Sequence, residues 1–379
     1  MNVKSRFTKN NTLAMKGIAI SFLLFYHCFS QASRMGGGAS VDFTPLSREA
    51  AMMISRCMVQ CVGLFAFLSV YGLTRSVKKK YQSFEFSGRE GTLLVLERYL
   101  HLVLFFTIPF FFCMGVTFLT DTSSYANGLV NTLVSIVMDF FCVGYLFDTQ
   151  ILISTWWYLS LEVLLIVFLP FVLRFYRKYS WLIVLMFLLP GSFLIEKHVH
   201  LTKYLFVMPL AVCFADQDVL ERIRDFMIVR NKWMNKILKF AIETIVMCAL
   251  FMFWYSKWGR NHFEFVLNGL IPVAVICWSY EFLIDLPVIR EILQFMGKHS
   301  ANVFYIHSFI RAKWLGNFVY SFGHAFLIWL VLMASSMVVS ILLEGIKKAV
   351  RFERLSGKIS DRILDWADKT LWYVSRNGV

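Results

Sequence analysis

The chain has 379 residues, 58% hydrophobic and only 16% charged, with a mean hydropathy of +0.62. Soluble domains sit nearer half apolar and a quarter charged, so this composition excludes an ordinary soluble enzyme and points to a multi-span membrane protein. The formal net charge of +14 is not a nucleic-acid signature, because the Lys and Arg residues collect at the ends of apolar segments, as cytoplasmic anchors do.

The first element, Leu13 to Ser30, reads LAMKGIAISFLLFYHCFS and is long enough to cross a bilayer. It is expected to remain as a span, because it is too long for a cleavable signal and lacks an A-x-A-like site. Further crossings are expected at 55–75, 97–119, 154–173, 180–195, 203–216, 238–256, 265–284, 299–319 and 324–345, giving about ten. An eleventh apolar stretch, 129–147, carries Asp139 in its middle. Basic clusters at Lys4–Lys9, Lys78–Lys80, Arg174–Lys178, Arg222–Lys239 and Lys347–Arg354 are all cytoplasmic only if 129–147 does not cross. That stretch is therefore expected to dip in and return, or to lie at the outer surface, the alternative being an ordinary crossing with one basic loop breaking the rule. The expected architecture is an all-α polytopic bundle with one such re-entrant segment, multi-pass in the cell membrane, with both termini cytoplasmic. Residues 1–346 would form the membrane domain, and 347–379 a basic amphipathic helix along the inner leaflet. The eight cysteines fall in apolar segments with no CxxC pair, which reads as small buried residues and neither metal nor disulfide chemistry.

Ionisable groups inside spans are costly and mark candidate sites. Lys16 and His27 share the first segment; eleven helical steps return them to within about 20° of one face and separate them by roughly 16 Å. His27 lies about 21 Å along that helix, toward the outside, where a neutral imidazole serves as base or nucleophile. Arg75 and Arg98 fall at cytoplasmic helix ends, level with Lys16, so three cations at one depth are candidates for receiving phosphates; positive-inside anchoring is the plainer reading. Glu162 lies roughly 12 Å into its span, at nearly the depth of His27, and is a candidate to orient the imidazole as the third member of a triad does. His307 lies about 13 Å into its helix; it is a candidate for binding donor or acceptor, with a structural hydrogen bond between helices equally open. His198, His200, His262 and His324, in outer loops or at span ends, read as solvated.

Five stretches, in order, carry a resemblance. Lys16–His27 is similar to the basic-x10-His motif of the acyltransferase family 3 membrane proteins. Phe65–Arg75 (FAFLSVYGLTR) resembles that family's FFxLSGFLxxR segment, with Val70 where glycine is usual and Gly72 as a shifted place for close helix contact. Arg98 matches the first of a paired arginine, with His101 at the second. Trp156–Glu162 (WWYLSLE) resembles WxLSxE, and Gly297–His307 (GKHSANVFYIH) resembles GKxSYxxYLxH. Together they run from residue 16 to 307. The resemblance implies transfer of an acyl group, commonly acetyl, from cytosolic acyl-CoA to a hydroxyl of a surface or lipid-linked carbohydrate. On that reading Lys16, Arg75 and Arg98 hold the coenzyme A phosphates. The pantetheine arm passes Ile20 and Leu23 or Leu24, and His27 with Glu162 does the chemistry as base or acyl-carrying nucleophile. Ser160, Tyr305 and His307 are the candidate substrate contacts. Acyl-CoA is a substrate here; no resident cofactor, metal or nucleic acid is expected, and membrane lipids are the remaining partners. The rival reading is a transporter or flippase for a lipid-linked sugar, and a third is a structural subunit with an inactive acyltransferase fold.

Overall fold

A computed structural model describes residues 6–35, 40–125, 128–194 and 200–377. They are helical almost throughout. Helix α1 (Lys9–Phe29) begins where the Thr8 hydroxyl accepts a hydrogen bond from the Asn11 N–H, a side-chain cap for one of the free amides of the first turn. Helix α2 (Arg48–Cys57) runs through one tight turn into α3 (Cys61–Lys80). Helix α4 (Gly88–Thr120) opens on a reciprocal capping box between Ser87 and Glu90. Helix α5 (Leu129–Phe140) has 12 residues, about 18 Å of rise, too short to span alone.

Helix α6 (Trp157–Tyr179) is followed by two short apolar helices, α7 (Leu182–Leu194) and α8 (Val207–Asp216), and by the charged α9 (Val219–Asp225). Helix α10 (Lys232–Tyr255), the one-and-a-half-turn α11 (Lys257–His262) and α12 (Glu264–Trp278) come next; α12 ends in a π-helical turn, Ser279–Leu283. Helix α13 (Pro287–Phe309) ends in a second π-helical turn, Ile310–Trp314. The chain closes with α14 (Gly316–Tyr320), α15 (Ala325–Ala349) and α16 (Phe352–Asn377).

Among the described residues, seven helical stretches are long and apolar enough to cross a membrane: α1, α2 with α3, α4, α6, α10, α12 with its π turn, and α15. The other three expected crossings take different forms. Segments 180–195 and 203–216 hold helices of 13 and 10 residues, and 299–319 is the second half of α13 with its π turn and α14. Large apolar side chains such as Ile245, Val246 and Met252 of α10 and Val338 and Leu342 of α15 face outward. An outer surface this apolar suits lipid and not water.

The tightest junction in the molecule is the crossing of α1 and α13. A Cβ on Gly17 would lie 2.1 Å from the Leu293 carbonyl oxygen, and one on Gly297 would lie 1.7 Å from that of Leu13. Only glycine at both positions lets the two backbones touch, as small residues do at membrane helix interfaces. The helices run parallel. Ten residues beyond each glycine the sequence places a histidine, and the His27 and His307 rings lie with centroids 5.0 Å apart. The glycine contact therefore sets the register of the site. Gly72, by contrast, faces open space, and the close approach on α3 is at Gly63, against Asn268 and Pro272 of α12.

The 129–147 stretch folds as α5 and a tight turn, Gly144–Phe147. The buried Asp139 carboxylate accepts hydrogen bonds from the Ile151 and Leu152 amides at 3.3 and 3.4 Å, tying the segment back toward the start of α6. The expected tail helix is α16. It packs on α4, where Arg89 pairs with Asp368 at 2.7 Å.

Candidate functional site

His27 sits at the carboxyl end of α1 with its ring buried between α13 and the wall of a cavity of about 810 Å³. Arg34, one short turn later in the chain, donates from Nη1 to His27 Nδ1 at 3.2 Å and to Ser30 Oγ at 3.0 Å. A guanidinium only donates, so Nδ1 acts as acceptor and the proton of the neutral imidazole sits on Nε2. His307 backs this ring from inside the protein. It is wholly buried, its Nδ1 donates to the carbonyls of Val303 and Phe304 at 3.1 and 2.8 Å, and its Nε2 accepts from Ser308 Oγ at 3.0 Å. Every polar atom of His307 is thus used within the fold. It does not line the cavity; its ring packs against that of His27 instead.

The cavity wall combines aromatic rings with cations. Tyr26, Trp157, Tyr158, Tyr204 and Trp254 supply the rings; Arg34, Arg56, Lys203, Arg260 and Arg311 supply the charge. Flat aromatic faces beside hydrogen-bonding groups suit a polar ligand with an apolar side, such as a sugar. Glu264 is the single carboxylate on the wall among the described residues, and Lys203 holds it at 2.8 Å. Burial pulls the Arg34 guanidinium below its usual value; neighbouring Tyr26 opposes this and neighbouring Arg311 adds to it.

The expected partnership of Glu162 with His27 is not what the fold builds. Glu162 accepts hydrogen bonds from Tyr158 and, at 2.8 Å, from Ser69. The charge that acts on it is Lys16. Lys16 makes no hydrogen bond or ion pair among the described residues, and it does not line the cavity that His27 faces. Ile20 and Leu24, expected along a pantetheine path, are fully buried in the core, while Leu23 reaches the cavity wall. The two ends of the α1 stripe are joined by side chains: Tyr158 on the cavity wall, Glu162 bonded to it, and Lys16 within electrostatic reach beyond.

The three cations expected to act together at the other end of α1 divide. Arg75 is consumed by the fold, pairing with Asp218 at 2.5 Å and with the buried Glu221 at 2.7 Å while also donating to the Tyr71 hydroxyl. Those carboxylates come from the N-cap and first turn of α9, which sequence separation hid. Arg98 keeps a looser position: it donates to Ser76 at 2.9 Å, approaches Glu97 only to 3.8 Å and leaves its Nε buried without a partner. Its charge and that of Lys16 both act on His101. Lys16 and Arg98 therefore remain together as the available pair.

Two further expectations are corrected. Ser160 is buried and donates to the Cys142 carbonyl at 2.9 Å. Tyr305 packs its ring on Phe106 and gives its carbonyl to the Trp156 indole at 3.1 Å. Neither reaches the cavity, because both point into helix junctions. Trp157 and Tyr158, in the same motif as Ser160, do reach it. Arg34 and Arg311 were missed as well. The i, i+4 spacing of His307 and Arg311 was the available signal for one; nothing local marked the other. No group of three His, Cys, Asp or Glu side chains is placed to hold a metal ion among the described residues. Comparison with protein-family models, with curated proteins and with solved structures finds no match to this chain.

Proposed function

We propose that this protein is a membrane O-acyltransferase that moves an acyl group, acetyl by preference, from acyl-CoA to a hydroxyl of a surface or lipid-linked carbohydrate. The reading places about ten crossings in the cell membrane: the seven long apolar stretches plus α7, α8 and α13. Helix α5 dips in and returns, and both termini are cytoplasmic. The observation that carries it is His27, a histidine of defined tautomer on the wall of a sugar-sized aromatic cavity, on the same helix as a lysine, near the opposite membrane face, that is unpaired among the described residues.

Acyl-CoA docks from the cytosol with its phosphates near Lys16 and Arg98. The pantetheine arm enters between α1, α3 and α6, alongside Glu162 and Tyr158, since the face over Ile20 and Leu24 is filled. The acceptor hydroxyl occupies the cavity. His27 removes the hydroxyl proton as the oxygen attacks the thioester carbonyl; the C–S bond breaks, and the coenzyme A thiolate leaves and recovers a proton. A covalent route, in which His27 first takes the acyl group and the hydroxyl then displaces it, gives the same ester and free coenzyme A. Arg34 occupies Nδ1 in the resting state, so either route requires it to move.

Surface-glycan NMR of a deletion strain tests the reading. An ester signal should vanish, return with the wild-type gene and stay absent with His27→Ala; an unchanged glycan rejects acyl transfer. The cavity would also suit a carrier of a neutral lipid-linked sugar. Protection of the purified protein against thermal unfolding by coenzyme A, lost in Lys16→Ala and Arg98→Ala, supports the enzyme; absence of protection by any acyl-CoA supports the carrier.

A further inference from the structure

The charge on the cavity wall is unbalanced. Arg34, Arg56, Arg260 and Arg311 have no carboxylate within 4.0 Å among the described residues, and the one carboxylate present is held by Lys203. Arg56 and Arg260 are exposed and donate only to the carbonyls of Ser30 and Tyr255. Arg34 and Arg311 are half-buried and converge on His27. Arg311 Nη1 donates weakly to the Arg34 carbonyl at 3.4 Å, and its Nε is buried without a partner. Bringing two half-buried guanidiniums together, with no carboxylate between them among the described residues, is unfavourable. Cations that hold helices together elsewhere in this fold find carboxylates, as Arg75 does with Asp218 and Glu221. On the proposed topology the group also lies at the outer face, the side on which Lys and Arg are ordinarily depleted, so anchoring does not account for it.

We propose that the acceptor is an anionic carbohydrate whose carboxylate or phosphate is taken by Arg34 and Arg311, setting the reacting hydroxyl beside His27. Paired guanidiniums present N–H forks that match either oxyanion. The aromatic wall receives the sugar ring. An anion that engages Arg34 also draws it from His27 Nδ1 and frees that lone pair, so the charge that gives recognition also readies the base. This inference rests on the acyl-transfer reading for the role of His27, whereas anion recognition by the two arginines stands apart from it.

The test uses the full-length protein in lipid nanodiscs and four sugars of one shape: glucose, glucuronamide, glucuronic acid and glucose 6-phosphate. Binding is read by thermal protection and calorimetry. Glucuronic acid or glucose 6-phosphate should bind at least about tenfold tighter than glucuronamide, the worth of one charge-assisted contact. Whichever of the two is preferred tells carboxylate from phosphate. The preference should collapse in Arg311→Gln and Arg34→Gln, and weaken in the exposed Arg260→Gln. It should persist in His27→Ala. Preference for a charged sugar without any acyl transfer leaves this inference standing and removes the enzyme reading. Equal binding of glucuronamide, or no binding of either charged sugar, overturns it. Inorganic phosphate binding as tightly as glucose 6-phosphate would show an anion site without sugar recognition and also overturns it. Displacement of glucuronic acid by coenzyme A, abolished in Arg311→Gln, would give these cations to the donor and overturn it as well.

Discussion

The two ends of α1 handle positive charge in opposite ways. Near its amino end, Arg75 pairs with Asp218 and Glu221, Lys78 with Asp216 at 2.9 Å, Arg224 with Asp285 at 2.7 Å, and Lys239 with Glu281. Near its carboxyl end, four arginines line the cavity that His27 faces, with no such partner among the described residues. Paired cations hold helices together and have little left for a ligand; unpaired ones in a concave wall are what an anion requires. The difference separates the charge that anchors the fold from the charge available to chemistry. It leaves Lys16 and Arg98 as the exceptions at the anchored end.

The sharpest way to break this comparison is at His27. His27→Ala should lower acyl transfer by roughly 10²–10⁴-fold, the ordinary worth of a general base, while thermal protection by coenzyme A is retained. Residual activity near wild type, measured with labelled acetyl-CoA, would move the chemistry elsewhere. The next largest effect is expected at the junction that aims this histidine. Gly297→Ala puts a Cβ 1.7 Å from the Leu13 carbonyl oxygen, and the obstacle is backbone, which cannot rotate away. The cost should reach or exceed the ~3 kcal/mol upper end of ordinary overpacking. The helices must part, so a melting curve should fall and any surviving activity should fall with it. Gly72→Ala, facing open space, should do neither.

These two positions also show what the sequence made legible. His27 and Lys16 stood out because an ionisable group in an apolar run is visible one residue at a time and helical periodicity gives its face. The seven stretches long and apolar enough to cross were readable for the same reason. Gly297 was quoted as part of a motif, but its purpose, a backbone contact with Leu13, depends on a residue nearly three hundred positions away. The same distance hid the pairing of Arg75 with Asp218 and Glu221. It also made Glu162 look like the partner of His27 on depth alone, when rotation about the α6 axis turns it to Ser69 and Lys16. Depth is a one-dimensional property and can be counted along a helix. Which neighbour a side chain meets depends on how separate helices pack, and Arg34, placed by a turn beyond the helix end, had no periodicity to announce it.

Arg75 and Lys16 sharpen the comparison by failing in different ways. Arg75→Ala leaves Glu221, only 3% exposed, without its cation, and should cost about 3 kcal/mol of stability, as removal of one partner of a buried pair does. Pairing it with Glu221→Gln should restore part of that loss. The KM for acyl-CoA should hardly move. Lys16→Ala should do the reverse: with no hydrogen-bond or ion-pair partner to orphan among the described residues, it should leave the melting curve unchanged and raise that KM roughly tenfold, the worth of one charge-assisted phosphate contact. If Arg75→Ala instead gives the selective KM effect, the division between anchoring and available charge is wrong at that end.

The smallest effect is expected where a paired charge is most exposed. Hydrogen bonding from Arg89 holds the Asp368 carboxyl below its ordinary value, with desolvation opposing and the Arg89 charge adding to it. A carboxylate with a depressed pKa favours the docked state while it is ionised. The docking of α16 on α4 should thus be complete above the ordinary carboxylate value of about 4 and loosen as pH falls through the lower value of the folded protein. Hydrogen exchange across residues 352–371 should show more protection at neutral pH than in acid. Asp368→Asn should lose that added protection at neutral pH and flatten the response. Exposure and salt both screen this pair, so the change should be modest and shrink at high ionic strength. A pH response unaffected by Asp368→Asn would mean that the apolar face of α16, and not this ion pair, holds the tail in place.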